Sequence, residues 1–277
     1  MTSAQPTIVS ETFGDPGNPA VLLIMGAMAS MLWWPEKLCR ALADAGLFVI
    51  RYDNRDTGHS TKYPPGKPPY TFDDMADDAI GVLDRHDIDR AHVAGMSMGG
   101  MIAQLVALKH PARVASLTVI SSSPVGMDTS HLPKMSAAYI EHSAGGADVD
   151  WSDCGQAIDF VVRDARAIAS VAHPFDEARM RAFIEQDYDR SGGFLSATNH
   201  FMLEGGDERK GRLDEMKAPL LVIHGTADPI FPIEHGEALA DAAPGAKLLR
   251  IEGGGHELHR QDWPEIVAAM LAHIRSH

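Results

Sequence analysis

The chain has 277 residues, of which 45% are hydrophobic and 22% are charged, and its formal net charge is −14. This length fits one large domain or a core with a modest insertion, and it is long enough to bury a sizeable hydrophobic core. A strongly acidic chain repels phosphates, so we expect no nucleic acid and no anionic membrane surface among its partners.

No segment of the sequence predicts secretion or a membrane span. The longest apolar run, residues 20–25, is too short to cross a bilayer. Residues 1–6 contain no basic region followed by an apolar one, so no secretory signal is visible. We therefore predict a cytoplasmic protein, a monomer or a homodimer, whose partner is a small molecule.

The two cysteines, Cys39 and Cys154, are far apart in the chain and match no metal-ligand spacing. Reduced thiols are the ordinary state of cysteines in a cytosolic protein. The sequence thus predicts two free thiols, no metal and no organic cofactor.

Short β-branched or leucine-rich segments alternate with longer amphipathic ones, which is typical of a mostly parallel α/β sheet. Most strand candidates are apolar without alternation, as expected where helices cover both faces. The predicted strands are residues 7–12, 20–25, 47–52, 91–95, 116–120, 220–224 and 247–251. The predicted helices are residues 36–45, with Pro35 at the first helical position and Gly46 at the stop, 72–86, 98–110, 232–243 and a last one that begins at Pro264.

This alternation stops between residues 124 and 212. The segment has no convincing strand, three or four helical stretches, and glycine pairs that include residues 205–206. A helical insertion between two strands predicts a lid over the carboxyl edge of the sheet, and the alternative is a long helical crossover without that role. We therefore divide the chain into a core (1–123), a helical cap (124–212) and the rest of the core (213–277).

Residues 95–99 read Gly-Met-Ser-Met-Gly and follow a predicted strand that leads into a predicted helix. A Gly-x-Ser-x-Gly motif in this context is a nucleophile elbow, a sharp strand-to-helix turn whose neighbours must be small. The turn also places the serine at a helix N-terminus, where the dipole favours negative charge. The sequence therefore predicts Ser97 as a nucleophile.

A nucleophilic serine needs a base within hydrogen-bond reach and a third group that orients the base. Of the 14 histidines, His256 follows the last predicted strand through three glycines and precedes the last helix. Asp228 follows the strand before it and is rigidified by Pro229. This order along the chain, serine, then aspartate, then histidine, predicts Asp228 as the acid and His256 as the base. We interpret His224 and His200 as structural residues.

Acyl transfer also needs two backbone N–H groups aimed at the developing oxyanion. The residue after the nucleophile, Met98, should supply one, and Ala27, in the loop after the second strand, should supply the other. We expect the substrate pocket to be lined by residues of the loops near the nucleophile, and the candidates are Gly26, Met28, Trp33, Met96 and Met127. Methionines suit an irregular apolar ligand, although each can also be ordinary core.

Three segments are similar to the branch of the α/β-hydrolase family that contains the aclacinomycin methylesterase. They are Leu-Leu-Ile-Met-Gly (22–26), Val-Ile-Arg-Tyr-Asp-Asn-Arg-Asp-Thr-Gly-His-Ser-Thr (49–61) and the Gly-Met-Ser-Met-Gly motif, and the likeness continues at 227–230 and 254–256. The resemblance implies an α/β-hydrolase fold, a mostly parallel sheet of seven or eight strands flanked by helices with a helical cap. It also implies esterase chemistry in which Ser97, Asp228 and His256 and the Ala27 and Met98 amides have their usual roles.

Two departures limit what this resemblance implies. The short N-terminus lacks room for a first hairpin strand, which favours seven strands over eight. The segment 124–212 shows little likeness, so the substrate does not carry over. We predict a serine hydrolase of carboxylic esters of small to medium apolar substrates, methyl esters among them. The alternatives are a cofactor-free perhydrolase or haloperoxidase, a carbon–carbon bond hydrolase on the same triad, and a ligand receptor without turnover.

Overall fold

A seven-stranded sheet forms the centre of the molecule in the computed structural model, which describes residues 5–203 and 212–277. The strands are β1 (Ser10–Phe13), β2 (Ala20–Ile24), β3 (Phe48–Tyr52), β4 (Ala91–Met96), β5 (Val114–Ile120), β6 (Leu220–Gly225) and β7 (Lys247–Ile251). Their spatial order is β1-β3-β2-β4-β5-β6-β7. Only the β1–β3 pairing is antiparallel. The predicted fold class, with the lower of the two strand counts, is confirmed.

The first strand is shorter than predicted. Residues 7 and 9 do not join the sheet ladder but accept hydrogen bonds, through their backbone oxygens, from the amides of Thr61 and Asp53 in the loop after β3. The N-terminal segment therefore holds that loop, while β1 itself begins only at Ser10.

Among the described residues, eight α-helices surround the sheet or follow it. They are α1 (Glu36–Asp44), α2 (Phe72–Arg85), α3 (Met98–Lys109), α4 (Ala137–Ala144), α5 (Cys154–Ala167), α6 (Glu177–Ser191), α7 (Ile233–Ala242) and α8 (Trp263–Ile274). Pro35 is the residue before α1, with an extended backbone, and so does not occupy the first helical position that we predicted. Within the described residues, none of these helices combines the length and apolarity that a membrane span needs.

The sheet buries apolar side chains on both faces. On one face Leu22 and Val93 pack with the buried side chains of α2, α3 and α7, such as Ile102. On the other face Leu23 packs with the buried side chains of α1 and α8, such as Met270. Strands covered on both sides must be apolar throughout, which explains why β2 to β6 show no alternation.

The helices α4, α5 and α6 and a 3-10 helix, Ser196–Met202, lie between β5 and β6. They have a small apolar cluster of their own, which includes Ile158 and Ile184, and Met28 and Trp33 from the loop after β2 pack against it. The segment that we predicted as a cap therefore contacts the carboxyl end of the sheet. Its predicted boundaries are not tested, and the glycine pair at residues 205–206 lies outside the described residues.

Both cysteines are free, as predicted. Cys39 is buried under α1, and burial raises the pKa of its thiol to about 12. It therefore stays protonated and unreactive. Cys154 is exposed at the first position of α5.

Candidate active site

Ser97 lies in the sharp turn that joins β4 to α3. It is the residue before the helix, and its φ of 54° and ψ of −123° are strained for a residue with a side chain. Its N–H donates to the oxygen of Ile120, at the end of the adjacent β5, at 2.9 Å. The strand-to-helix turn that the Gly-x-Ser-x-Gly motif requires is therefore present, with the serine half-buried at its apex.

The glycines of the motif are explained by close backbone contacts. A Cβ at Gly95 would collide with the oxygen of Gly99, and a Cβ at Gly99 would collide with the oxygen of Ile24 in β2. At Gly100 it would come within 2.7 Å of the Ser122 Cβ. The turn can thus be this tight only with glycine at these positions.

Asp228 and His256 are hydrogen-bonded, with 2.7 Å between the Asp228 Oδ2 and the His256 Nδ1. The second oxygen, Oδ1, accepts from the amides of Ile230 and Phe231 at 2.9 Å each. The Asp228 side chain is fully buried and that of His256 nearly so. A carboxylate held by two amides orients the ring and leaves the His256 Nε2 available for another partner.

Asp228 is kept in its charged form. Burial by itself would raise the pKa of Asp228, but the neighbouring His256 and its hydrogen bond outweigh this and hold the pKa below its usual value. His224 lies beneath the acid loop, where its Nε2 donates to the oxygen of Phe231 at 2.7 Å. Burial lowers the pKa of His224, so this ring stays neutral. Its structural role agrees with our interpretation.

The turns after β4, β6 and β7 bring Ser97, Asp228 and His256 to the carboxyl edge of the same sheet. Among the described residues, the Ser97 hydroxyl has no hydrogen bond to His256. Catalytic hydrogen bonds are often long before substrate binds. The catalytic roles of the three residues stay predictions.

The loop after β2 passes directly beside the serine. A Cβ at Gly26 would lie 3.2 Å from the Ser97 Cβ. Any side chain at this position would therefore require Ser97 or the loop to move by a few tenths of an ångström. Ala27 follows, half-buried, and Met98 is the first residue of α3. Within the part of the chain that is described, neither the Ala27 nor the Met98 amide donates a hydrogen bond. The N–H group of an oxyanion donor must be free to bind the oxyanion. The assignment of Ala27 and Met98 as the two donors stays a prediction.

The predicted pocket residues lie in three different environments. Met28 and Trp33 are half-buried and face the helical insertion, where the Trp33 indole donates to Asp187 at 2.9 Å. Met127 is partly buried against the core. Met96 is only 4% exposed and packs in the core on the side of α1 and α8. The structure therefore places Met96 among the core residues, since its position at the end of a strand turns its side chain into the sheet packing.

An ion pair between the buried Asp53 and the half-buried Arg190, which the sequence analysis did not predict, fixes the loops around the site. Asp53 accepts two hydrogen bonds from Arg190 of α6, at 2.7 and 3.1 Å, and others from the amides of Met31 and His59. A Cβ at Gly58, where φ is +48°, would collide with this carboxylate. The Arg-Tyr-Asp-x-Arg-Asp-x-Gly-x-Ser stretch thus builds a contact with the insertion.

The contacts of His200 were also not predicted from the sequence. It is buried in the 3-10 helix of the insertion, and its two ring nitrogens bond to the backbone of Met28 and of Arg55. Both partners are more than 140 residues away in sequence. Because backbone groups of any residue type can serve as partners, no sequence pattern marks this contact.

The loop that carries His256 also contacts the insertion. The His256 amide donates to the oxygen of Ile168 at 2.8 Å, and the Ser170 hydroxyl donates to the oxygen of Gly253 at 2.8 Å. A Cβ at Gly255 would collide with the same Ile168 oxygen. The three glycines before His256 therefore allow a close approach to the insertion.

Among the described residues, one group has the residue types for a metal site. His173, His259 and Asp262 have potential ligand atoms within 4.8 Å of one another. However, the two imidazole rings stack at 4.3 Å with 18° between their planes, and the His173 Nε2 donates to the Asp262 Oδ1 at 2.7 Å. Ring lone pairs lie in the ring plane, so two parallel stacked rings do not converge on one ion. This arrangement fits a hydrogen-bonded stack better than a metal centre.

Comparison with known families supports the fold. The family model Hydrolase_4, described as serine aminopeptidase, S33, matches residues 17–262. The chain belongs to this family of α/β hydrolases. The match spans both core segments and the insertion, so it includes all three predicted catalytic residues of this α/β hydrolase.

Two relatives are similar over their whole length. The rhodomycin D methylesterase of Streptomyces sp. (strain C5) is 34% identical, with 100% of this chain and 97% of the relative covered. That of Streptomyces peucetius is 33% identical with the same coverage. These similarities confirm the predicted resemblance to the methylesterase branch and support the predicted enzyme class, a carboxylic ester hydrolase.

A solved structure agrees at the level of the fold. The esterase RhEst1 from Rhodococcus sp. ECU1013 matches with a TM-score of 0.77 and 20% identity, over 98% of this chain and 95% of that chain. At this identity the likeness concerns the fold alone.

Proposed function

We propose that this α/β hydrolase cleaves carboxylic esters with Ser97 as nucleophile, His256 as general base and Asp228 as the acid that orients it. The observation that carries the proposal is the buried, hydrogen-bonded Asp228–His256 pair at the sheet edge where Ser97 occupies a strained turn. A buried aspartate paired with a histidine near a strained serine is the arrangement that serine acyl transfer needs.

In the first half-reaction, His256 takes the proton of the Ser97 hydroxyl while the oxygen attacks the ester carbonyl. The negative charge of the tetrahedral intermediate goes to the former carbonyl oxygen, which accepts from the Ala27 and Met98 amides. Asp228 stabilises the imidazolium that forms. The C–O bond to the alcohol then breaks, and His256 gives its proton to the leaving alcohol.

The second half-reaction repeats these steps with water. His256 takes a proton from water, whose oxygen attacks the acyl-enzyme, and the same two amides hold the new oxyanion. The bond to Ser97 breaks, its oxygen recovers a proton from His256, and the carboxylic acid leaves. Atoms and charges balance without a cofactor.

For the substrate we propose an uncharged ester of small to medium size with an apolar body. Met28 and Trp33 offer apolar surface between the serine loop and the insertion. Among the described residues, two arginines that meet these loops are already paired, Arg190 with Asp53 and Arg55 with Asp78, so neither is available for an anionic group. A methyl ester is favoured because both similar relatives are named as methylesterases.

The test is hydrolysis of p-nitrophenyl esters from acetate to decanoate, and of the matching methyl esters, by the wild type and by Ser97→Ala. We expect wild-type turnover and a fall in kcat of roughly a thousandfold or more in the variant, because the nucleophile is lost. Ser143→Ala, at an exposed position of α4, is the matched control and should keep wild-type rates. Equal rates for Ser97→Ala and wild type would contradict the proposal, and an inert wild type would favour peroxide or carbon–carbon chemistry.

A further inference from the structure

His200 joins the helical insertion to two loops of the core. Its Nδ1 lies 3.0 Å from the backbone nitrogen of Met28, in the loop after β2. Its Nε2 lies 2.8 Å from the backbone oxygen of Arg55, in the loop after β3. The ring is 4% exposed. A single side chain of the insertion thus connects the loop after β3 to the loop after β2, which carries the predicted oxyanion donor Ala27.

The two partners define the protonation state of this ring. A carbonyl oxygen can only accept a hydrogen bond, so the His200 Nε2 carries the proton. An amide N–H can only donate, so the Nδ1 carries a lone pair. Both bonds therefore form only with a neutral ring in one tautomer. Burial lowers the pKa of His200, which keeps the ring in the neutral form.

The backbone of the loop needs such a contact. Met28 has a φ of 61°, in the left-handed region that residues with a side chain rarely adopt. A strained residue persists only where its surroundings hold it. The bond from the Met28 N–H to His200 fixes the peptide between Ala27 and Met28, while the neighbouring Gly26 lies beside Ser97. The direction of the Ala27 amide depends on this local geometry.

We infer that His200 is a positioning residue for acyl transfer, which holds the loop after β2 so that the Ala27 amide faces the oxyanion formed at Ser97. This inference rests on the proposed function. His200 acts through Met28 and contacts no substrate atom in this account. Its removal should weaken an interaction that exists mainly in the transition state, so kcat should fall more than KM rises.

Three substitutions separate the two bonds. In His200→Asn, the amide oxygen can occupy the place of the Nδ1 and accept from Met28. In His200→Gln, the amide group can reach the oxygen of Arg55 but leaves no acceptor at the Nδ1 position. His200→Ala removes both bonds. His92→Asn is the matched control, since His92 is also buried and hydrogen-bonded, to Ser116, but lies in β4 away from the loop.

We expect kcat for a p-nitrophenyl ester to fall roughly 10- to 100-fold in His200→Gln and His200→Ala, below the full cost of losing one oxyanion donor, with KM within about threefold. His200→Asn should recover most of the rate, and His92→Asn should keep it. In the same samples, hydrogen exchange should show that the Met28 amide loses protection in His200→Gln and regains it in His200→Asn. That readout needs no turnover and is interpretable in any variant that folds.

Wild-type kcat in His200→Gln, equal losses in His200→Asn and His200→Ala, or unchanged Met28 protection would each overturn the inference. An ester-inactive wild type, or Ser97→Ala with wild-type rates, would instead overturn the proposed function, and this inference with it. An active wild type whose His200 variants match it would overturn only the role of His200.

Discussion

The core and the helical insertion use different interactions around the same site. In the core, Ser97, Asp228 and His256 occupy turns directly after β4, β6 and β7, so apolar strands and glycine turns position them. The insertion contacts the neighbouring loops after β2 and β3 through polar side chains, among them the half-buried Arg190 and the buried His200. The core thus determines where the three proposed catalytic residues lie, while directional hydrogen bonds from the insertion hold the neighbouring loops.

This difference has an energetic consequence. Apolar burial depends on area and tolerates small displacements, whereas a buried polar group that loses its partner keeps the full cost of desolvation. Changes in the glycine turns of the core should affect folding most for a different reason, because a new Cβ there would collide with backbone atoms. Changes in the insertion should act by leaving a buried partner unsatisfied.

The largest expected effect on activity comes from Asp228→Asn. The amide can no longer hold the His256 ring in the required tautomer or stabilise its charge, so kcat/KM should fall by about a thousandfold to ten-thousandfold. Asp159→Asn, at an exposed position of the insertion, is the control and should leave ester turnover unchanged. A loss of less than tenfold in Asp228→Asn would show that the pair is not part of the catalytic machinery.

The largest expected effect on folding comes from Gly99→Ala. The new Cβ would meet the backbone of β2, which cannot move without displacing the sheet, so the variant should lose several kcal/mol or fail to fold. In the insertion, a Cβ at Gly145 would have no other atom within 4 Å, and the backbone there is helical. Gly145→Ala should therefore change the free energy of unfolding by less than about 0.5 kcal/mol. Urea unfolding monitored by circular dichroism measures both. Similar losses in the free energy of unfolding for Gly99→Ala and Gly145→Ala would contradict the expected difference between the core turns and the insertion.

Arg190→Met tests the polar contact of the insertion. It leaves the fully buried Asp53 without its cation, so the free energy of unfolding should fall by about 3 to 5 kcal/mol. Arg181→Met, in the same helix, breaks an exposed pair with Asp159 that solvent screens, so its cost should be much smaller. Urea unfolding of the two variants compares them directly. Equal costs would mean that the burial of Asp53 does not determine the strength of this contact.

The core also contains a buried polar side chain, His92, which is hydrogen-bonded to Ser116. Its contribution to the free energy of unfolding can be tested by varying the pH, and we expect a smaller effect than in the preceding tests. Burial lowers the pKa of His92 to about 4, from 6.5 in the unfolded chain. The stabilisation by the neutral ring is therefore complete above pH 6.5 and is lost as the pH falls towards 4. Between pH 6.5 and 5 it should account for about 1 to 2 kcal/mol of the free energy of unfolding. His92→Asn should flatten that slope in urea titrations, and identical slopes would contradict the assignment.

The sequence alone could predict most of the core. Continuous apolar strands, proline and glycine at helix ends, and the Gly-x-Ser-x-Gly turn each have local causes, so six strands and five helices of the core were placed to within a few residues. The pairing of Asp228 with His256 follows from topology, because parallel strands deliver their turns to one edge.

The contacts of the insertion could not be predicted. Asp187, Arg190 and His200 bond to groups more than 130 residues away, and several of those groups are backbone atoms or common side chains. The first strand was predicted too long for a related reason, since residues 7–9 are extended but bond to a loop. Amino-acid composition alone does not distinguish a segment that bonds to a loop from a strand that pairs within a sheet.

The contact between His256 and Ile168 has a consequence for protein engineering. The insertion contacts two loops at this edge of the sheet, the loop after β2 through His200 and the loop after β7 through Ile168 and Ser170. It cannot be exchanged as an independent module, although its helices lie between two strands of a common fold. A chimaera that receives an insertion from another α/β hydrolase, to change its substrate, must also receive matching loops after β2 and β7.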